Sequence, residues 1–173
     1  MKISKRGQEF EEIVRANQSM VFSLAYHFLH DRDAAEEVAQ EAFLALHRNL
    51  DRIDSGQHAM FWLRKVTVQR AIDEARRRKR RPSVDLEEMA EPAAGGAAGD
   101  VLLDEMLRRM VATLPEAARA VMVLRYQEDL DPAEIAEVLE MPLGTVKSHL
   151  HRSLVLLREK LERRGVGEFG WTG

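Results

Sequence analysis

The sequence predicts an all-α protein in which two small helical domains are joined by a flexible linker, the C-terminal one containing a helix-turn-helix. Ala, Leu, Glu and Arg, which are strong helix formers, dominate the composition. Apolar residues make up 45% of the chain, enough for a buried core, and they recur at helical spacing. No segment shows the strict alternation of polar and apolar residues that is typical of a strand.

One stretch of the chain, residues 82–100, has the composition of a linker. It contains Pro82, Pro92 and three glycines among alanines and acidic residues, and such a mixture does not form a core. It separates a predicted N-terminal domain, residues 8–81, from a predicted C-terminal domain, residues 101–164.

Three helices are expected in the N-terminal domain. The second begins with Asp33 as its N-cap, and Glu36, three residues later, completes a predicted capping box. A loop at residues 51–57 precedes the third helix, which runs from about His58 into a basic segment. The first helix carries apolar residues at helical spacing, namely Phe10, Ile13, Val14, Val21, Leu24 and Phe28.

Four helices are expected in the C-terminal domain. The first begins near Asp100, and Pro115 is expected in the opening turn of the second, where a missing N–H costs nothing. Asp131 is a suitable N-cap for the short third helix, because Pro132 suits its first position and Glu134 its third.

The last two helices, joined by a tight turn at residues 140–143, have the pattern of a helix-turn-helix. The final helix is expected from Gly144 to about Arg164. The alternative is an ordinary amphipathic helix with a solvated polar face. Its apolar face, expected to pack inward, comprises Val146, Leu150, Ser153, Leu154 and Leu157. Its polar face, able to donate to phosphates and base edges, comprises Thr145, Lys147, Ser148, His151 and Arg152.

The third helix of the N-terminal domain presents a strip of cationic, amide and aromatic side chains. Single-stranded or melting DNA requires this combination, because cations bind the backbone and planar groups stack on bases. The six consecutive basic residues at 76–81 repel one another without an anionic partner, so the pattern predicts nucleic-acid contact. The alternative is a solvated helix end. The strip comprises Trp62, Lys65, Gln69, Asp73, Arg76, Arg77 and Arg80.

The second helix has a polar, negative face formed by positions 37, 40, 41 and 44. Such a surface beside a DNA-binding helix is unsuited to DNA and suits a basic surface of another protein. The pattern therefore predicts a protein-binding face, and the alternative is again a solvated face.

Other chemistry finds little support in the sequence. The absence of cysteine excludes disulfides and is typical of a cytoplasmic protein, and neither a secretory signal nor a membrane-spanning segment is expected. A weak metal site is conceivable at His27, His30 and Asp31. The favoured interpretation is that these histidines are ordinary surface residues. Without a HExxH, Walker or GxGxxG motif, we expect neither an enzyme, nor a cofactor, nor a small-molecule substrate.

Taken together, these segments resemble the extracytoplasmic-function (ECF) group of the sigma-70 family of RNA polymerase sigma factors. The segment Asp33-Ala34-Ala35-Glu36-Glu37-Val38-Ala39-Gln40-Glu41-Ala42-Phe43 is similar to the family's region 2.2, which binds core polymerase. On that resemblance Glu37, Gln40 and Glu41 contact the polymerase. The turn and helix from Met141 to Ser148 resemble region 4.2, which reads the −35 promoter element.

The resemblance also implies two sets of DNA-binding residues. Gln69 stands where the family usually has Asn, and His149 where Arg is usual, so both bear on promoter preference. The residues implied at the −10 element, which regions 2.3 and 2.4 melt and read, are Ser55, Gln57, His58, Trp62, Lys65, Gln69, Asp73, Arg76, Arg77 and Arg80. The residues implied at the −35 element are Thr145, Lys147, Ser148, His149, His151 and Arg152.

The partners that the resemblance implies are core RNA polymerase, promoter DNA and an anti-sigma factor. The family's connector between domains threads the polymerase through a basic channel, which suits the acidic residues of the linker. The alternative function is a helix-turn-helix transcriptional regulator that acts on duplex DNA without core polymerase. Promoter-dependent initiation from core enzyme separates the two.

Overall fold

The computed structural model describes residues 5–81 and 98–165, so most of the predicted linker lies outside the described residues. All regular secondary structure in these two ranges is helical, which confirms the all-α prediction. The helices are α1 Lys5–Leu29, α2 Arg32–Asn49, a 3-10 turn Leu50–Arg52, α3 Gly56–Arg80, α4 Ala98–Ala112, α5 Glu116–Tyr126, α6 Pro132–Leu139 and α7 Leu143–Arg163.

Helices α1, α2 and α3 form the N-terminal bundle. Its own core is a cluster of buried apolar side chains in which Val21 of α1, Leu46 of α2 and Leu63 of α3 meet. Small residues of α2, Ala39 and Ala42, are buried in the same cluster and let the helices approach closely. The helical spacing of apolar residues thus fixes which face of each helix turns inward.

The start of α2 differs from the prediction by two residues. Asp31, not Asp33, is the N-cap: its backbone is extended and its Oδ1 accepts a hydrogen bond from the Ala34 N–H at 2.8 Å. The reason is that His30 adopts a left-handed conformation, with φ of 56°, which ends α1 immediately before Asp31. The predicted capping box is therefore wrong, and Glu36 instead accepts from Arg32 at 3.1 Å.

Asp31 also gives a test of this local structure. Burial opposes its ionisation, but the Ala34 N–H and the Arg78 guanidinium outweigh burial and hold the pKa of the carboxyl below its ordinary value. Asp31→Ala should lower the free energy of unfolding by about 1 kcal/mol at neutral pH. Because the folded pKa is lowered, the charge-dependent part is present above the ordinary pKa and lost as pH falls through the lowered one.

Urea unfolding at several pH values measures this effect. Asp31→Asn is the matched control, since its side-chain oxygen can still cap α2 while its charge is gone. An Ala variant as stable as the wild type at neutral pH would contradict the assigned cap.

The boundaries of α3 and α5 are also slightly different from those expected. Ser55 caps α3, its Oγ accepting from the His58 N–H at 3.1 Å, so α3 begins two residues before His58. Pro115 has an extended ψ of 150° and so precedes α5 rather than lying within its first turn.

Helices α4–α7 form the C-terminal bundle, which contains the helix-turn-helix of α6 and α7. The predicted capping box is confirmed: Asp131 accepts from the Glu134 N–H at 2.9 Å, and Glu134 accepts from the Asp131 N–H at 2.8 Å. Glu140, with φ of 51°, ends α6 and turns the chain into α7. Local polar chemistry therefore fixes both ends of this short helix.

The two bundles pack against each other in an arrangement that we call the closed arrangement. A single apolar cluster extends across both of them. Leu24 and Phe28 of α1 belong to it together with Val121 and Leu124 of α5 and Ile135 of α6, and all five are almost fully buried. The structure thus joins the two predicted domains through a continuous core that sequence reasoning did not foresee.

Candidate polymerase and nucleic-acid interfaces

Helix α3 places the residues predicted for the −10 element along one strip. Its buried positions, such as Leu63, Val68 and Ala71, face the core and leave the other side to solvent. His58 lies near the N-terminal end of α3, about 27 Å from Arg76 by the rise of 1.5 Å per residue, and Ser55 caps the helix just before it. Of the predicted set, the exposed residues are Ser55, Gln57, Gln69, Asp73, Arg76, Arg77 and Arg80.

Two residues of the strip have further structural roles. Trp62 is partly buried and packs against the core of the N-terminal bundle. Lys65 is also partly buried, and its Nζ binds the carboxylate of Glu140 in the C-terminal bundle. In the closed arrangement, neither side chain is fully presented to solvent.

The basic end of α3 carries its own counter-charges. Glu74 accepts from the Arg77 Nε at 2.7 Å and from the Arg78 Nε at 2.9 Å, and these bonds outweigh burial and lower the pKa of Glu74. Arg78 also binds Asp31 at 3.1 Å, and Lys79 binds Glu116 at 2.9 Å. The self-repulsion expected of the basic run is therefore partly relieved within the chain.

The predicted polymerase-binding residues share an exposed face of α2. Glu37, Gln40 and Glu41 are all exposed, and Leu44 beside them is 57% exposed. Arg70 of α3 donates to Glu41 at 2.8 Å. Arg70 thus reaches the acidic face of α2 from α3.

Helix α7 presents the residues predicted for the −35 element. Val146, Ser153 and Leu157 are buried, as expected for the inward face. Leu154, predicted on that face, is 40% exposed, because it lies about 80° from Val146 and about 60° from Leu157 around the helix, at the edge of the buried stripe. On the outward side Thr145, Lys147, Ser148, His151 and Arg152 are exposed, and His149 is half-buried.

Ion pairs between the bundles form the feature that sequence reasoning missed most completely. Arg64 of α3 binds Glu128 at 3.1 Å, with only 16% and 8% of the two side chains exposed. Burial raises the pKa of Glu128, and the Arg64 cation offsets part of that effect. His30 lies 3.1 Å from Glu105. Nothing in the spacing of these residues indicates that they meet.

Arg119 of α5 adds a second kind of link between the bundles. Its guanidinium donates to the backbone carbonyl of Phe28 at 3.3 Å and lies 5.0 Å from the centre of the Phe28 ring. Within its own bundle it donates to the carbonyls of Ala112 at 2.7 Å and Leu114 at 3.1 Å. One buried side chain thus joins the end of α1 to the turn between α4 and α5.

The conceivable metal site receives no support from the described residues. His30 lies beside Glu105, and Asp31 is engaged by Ala34 and Arg78. In the two described ranges, no three or more His, Asp or Glu side chains are grouped so as to hold a metal ion. Nor does any helix there have the length and apolarity needed to cross a membrane.

Comparison with known proteins relates these surfaces to a family. Residues 13–81 match the family model of sigma-70 region 2, and residues 104–157 match that of sigma-70 region 4. The chain is 30% identical to the ECF RNA polymerase sigma factor SigW of Bacillus subtilis, over 93% of this chain and 94% of that protein. It is also 30% identical to the ECF RNA polymerase sigma-E factor of Escherichia coli K12, over 93% and 91%.

A solved structure has a similar fold. The sigma factor RpoE of Bartonella quintana, in complex with the anti-sigma factor NepR, matches with a TM-score of 0.70 and 20% identity, covering 90% of this chain and 98% of that one. The family models and the curated relatives show that this chain belongs to the ECF group of sigma-70 family RNA polymerase sigma factors. It is therefore a factor that directs polymerase to promoters.

Proposed function

We propose that this sigma factor divides promoter-directed initiation among three surfaces: an acidic face on α2, a basic strip on α3 and the outward side of α7. The observation that carries this proposal is the separation of the charges. The α2 face carries carboxylates and Leu44, whereas α3 and α7 expose cations. A basic partner can therefore bind the α2 face, and an acidic partner such as DNA can bind α3 or α7.

Core polymerase is the proposed partner of the α2 face. Glu37, Gln40 and Glu41 are exposed together, so a basic helix of another protein can reach all three. Leu44 adds an apolar contact at the edge of the same face. Interfaces between proteins combine apolar contacts with polar ones in this way.

The −10 element is the proposed ligand of α3. Its exposed cations can hold the phosphates, while the loop and cap at Ser55, Gln57 and His58 can receive an unstacked base about 27 Å away along the helix. Gln69 and Asp73 lie between these ends and offer hydrogen-bonding groups for bases. The length of the strip suits a single strand that runs along the helix.

The −35 element is the proposed ligand of α7, with Lys147 and Arg152 as phosphate or guanine contacts. Val146 and Leu157 anchor the helix from beneath, so the outward side chains are held in fixed positions. His149, half-buried at the margin, is the proposed reason for any departure from the usual −35 preference.

A run-off transcription assay with purified core polymerase tests this proposal. The chain should initiate at a promoter with both elements, and Lys147→Ala with Arg152→Ala should reduce initiation and lower the salt slope of DNA binding by about 1 per lost phosphate contact. Arg158→Ala with Arg163→Ala, which removes two exposed cations from the second half of α7, is the matched control.

The outcome also separates the two candidate functions. A helix-turn-helix regulator would bind duplex DNA alone and would add nothing to core polymerase. Absence of promoter-dependent transcripts, with tight duplex binding, would reject the proposed assignment. Replacing Gln69 and Arg80 by Ala tests α3 in the same assay and should reduce promoter opening.

An anti-sigma factor is the proposed regulatory partner, because a structural neighbour was solved in complex with one. Leu154, Val155 and Leu156 of α7 are each at least 40% exposed and offer such a partner an apolar surface. The proposed role requires no catalytic group of the chain's own. It also places the protein in the cytoplasm, where polymerase and promoter DNA lie.

A further inference from the structure

A cavity lies at one end of the C-terminal bundle, between the last turns of α4 and α7. Its volume is about 350 Å³, which falls within the range of about 300–1,000 Å³ that is typical of sites for small ligands. Four of its six lining residues are basic, and the other two are a threonine and a methionine. The lining residues are Arg109, Met110, Thr113, Lys160, Arg163 and Arg164.

This cavity is remote from the α7 residues proposed for the −35 element. Arg163 follows Lys147 by 16 residues, which corresponds to about 24 Å along the helix. The major groove is only about 12 Å wide, so the last turn of α7 lies outside a groove that receives its first turns. The proposed DNA contact therefore does not account for the cations of the cavity.

Three of these cations share one face of α7. Lys160, Arg163 and Arg164 are spaced i, i+3 and i+4, so they are neighbours on the helix surface, where like charges repel. Arg109 of α4 lines the same cavity. The last turn of a helix favours cations, because its free carbonyls carry a partial negative charge. That effect explains a cation at each helix end, but not the convergence of four cations from two helices on one cavity.

Carboxylates of the chain neutralise only part of this charge. Glu105 accepts from Arg109 at 2.9 Å, and Glu159 lies 4.0 Å from Arg163, with both side chains of the second pair more than half exposed. Among the residues that the structure describes, no carboxylate is paired with the other two cations. The cavity therefore retains an excess of positive charge.

The Lys160 ammonium is held by a neutral group instead. It is half-buried and donates to the Thr113 hydroxyl, which itself donates to the Met110 carbonyl at 2.7 Å. Arg119 fixes the turn that carries Thr113, because its guanidinium donates to the backbone carbonyls of the residues on either side. A hydroxyl neutralises no charge, so the positioned ammonium keeps two N–H donors for an anion.

We infer that this cavity binds a small polyphosphate anion, in which two or more phosphate groups are joined in a chain. Guanidinium groups bind phosphate oxygens through paired hydrogen bonds, and an ammonium binds the same oxygens as a point charge. A phosphate chain carries several negative charges within a short length, which matches cations that converge from two helices. Inorganic polyphosphate and the phosphate chain of a nucleotide share this chemistry. The site is distinct from the three surfaces proposed above.

Calorimetric titration of the full chain tests this inference. Inorganic tripolyphosphate and ATP are the probes, each without Mg²⁺ and without polymerase, and adenosine is the uncharged comparison. The cavity variant combines Lys160→Ala with Arg164→Ala, which removes the two cations for which no carboxylate partner is described. The matched control combines Arg158→Ala with Arg15→Ala, which removes the same charge from exposed positions outside the cavity.

Both phosphate probes should bind one site per chain, and adenosine should not bind. Their affinity should fall at least about tenfold in the cavity variant, because charge-assisted hydrogen bonds are lost, whereas the control should bind as the wild type does. The bound probes should raise the Tm of the wild-type chain, since they bind only its folded state. Tighter binding of ATP would identify a nucleotide as the ligand, and equal or tighter binding of tripolyphosphate an inorganic chain.

Three results would overturn the inference. The first is no saturable binding of either phosphate probe, and the second is an equal loss of affinity in the cavity variant and its control. The third is displacement of the probe by a duplex that contains the −35 element, because the cations would then belong to the DNA surface. If circular dichroism shows that the alanine variant loses helix, Lys160→Gln with Arg164→Gln, which keeps long polar side chains, replaces it with the same expected loss of affinity.

Discussion

Charge reversal on the acidic face of α2 is expected to abolish transcription from core polymerase. Glu37→Lys with Glu41→Lys turns two exposed carboxylates into cations, so the surface repels the basic partner that we propose for it. Truncating one member of a buried, hydrogen-bonded charge pair at an interface costs about 2–5 kcal/mol, and reversal adds repulsion. We therefore expect a loss of at least about 30-fold in polymerase affinity.

Co-sedimentation with core polymerase and single-round transcription measure this loss. Glu9→Lys with Glu12→Lys is the matched control, because both residues are exposed on α1 and the change in net charge is the same. The control should bind polymerase as the wild type does. Equal loss in both variants would show that total charge, and not the α2 face, determines binding.

The reversal should leave the fold intact, which makes the result interpretable. Glu41 pairs with Arg70 at 2.8 Å and Glu37 with Arg77 at 3.9 Å, but the four side chains are between 35% and 62% exposed. Exposed pairs contribute about 0–1 kcal/mol each. Urea unfolding should thus show a small change in the free energy of unfolding, far below the change in polymerase affinity.

Local signals allowed most of the helices to be predicted from the sequence. The capping box at Asp131 and Glu134 lies within four residues, so its chemistry can be read without knowing the rest of the fold. The same kind of reasoning gave Asp33 as the cap of α2, where the structure has Asp31. Both residues are aspartates two positions apart, and only the left-handed His30 decides between them.

The inward face of α7 shows a second limit of sequence patterns. Leu154 was expected inside with Leu150 and Leu157, yet it lies about 40° and 60° from them around the helix and is 40% exposed. Helical periodicity predicts a broad inward arc, but how much of that arc the neighbouring helices cover depends on tertiary packing. Val146 and Leu150 lie within the cluster shared with α5 and α6, and Leu154 lies outside it.

The closed arrangement could not have been predicted from the sequence. Its contacts join residues far apart along the chain, such as Arg64 with Glu128 and Lys79 with Glu116. Neither glutamate has a local pattern that distinguishes it from a solvated one, and the pairing depends on how two cores meet. The family resemblance predicts the surfaces, whereas the contacts between the bundles can be seen only in the structure.

Arg119→Ala is expected to cause the largest loss of stability among the single substitutions considered. The guanidinium is buried and donates to the carbonyls of Phe28, Ala112 and Leu114. The alanine side chain has no donor to replace it. Each buried carbonyl left without a donor costs about 1–3 kcal/mol. We expect a total loss of about 2–4 kcal/mol in the free energy of unfolding, because burial of the cation itself offsets part of the gain.

The same substitution should loosen the closed arrangement. The Arg119 guanidinium donates hydrogen bonds both to α1 and to the turn between α4 and α5, and both are lost in the alanine variant. Burial lowers the pKa of Arg119, yet a guanidinium stays charged at neutral pH, so the effect should not depend on pH between 6 and 8, to within about 0.5 kcal/mol. Arg119→Lys should recover only part of the stability, because an ammonium cannot span the fork of carbonyls.

Arg125→Ala is the matched control for these measurements. Arg125 lies in the same helix and donates to the Leu130 carbonyl at 3.1 Å, but its contacts remain within the C-terminal bundle. Urea unfolding should show a loss of less than about 1.5 kcal/mol for this variant, the contribution of one ordinary hydrogen bond. If Arg119→Ala proved no more destabilising than Arg125→Ala, the bridging role assigned to Arg119 would be wrong. The shared apolar core and the α3 ion pairs would then be the interactions that hold the two bundles together.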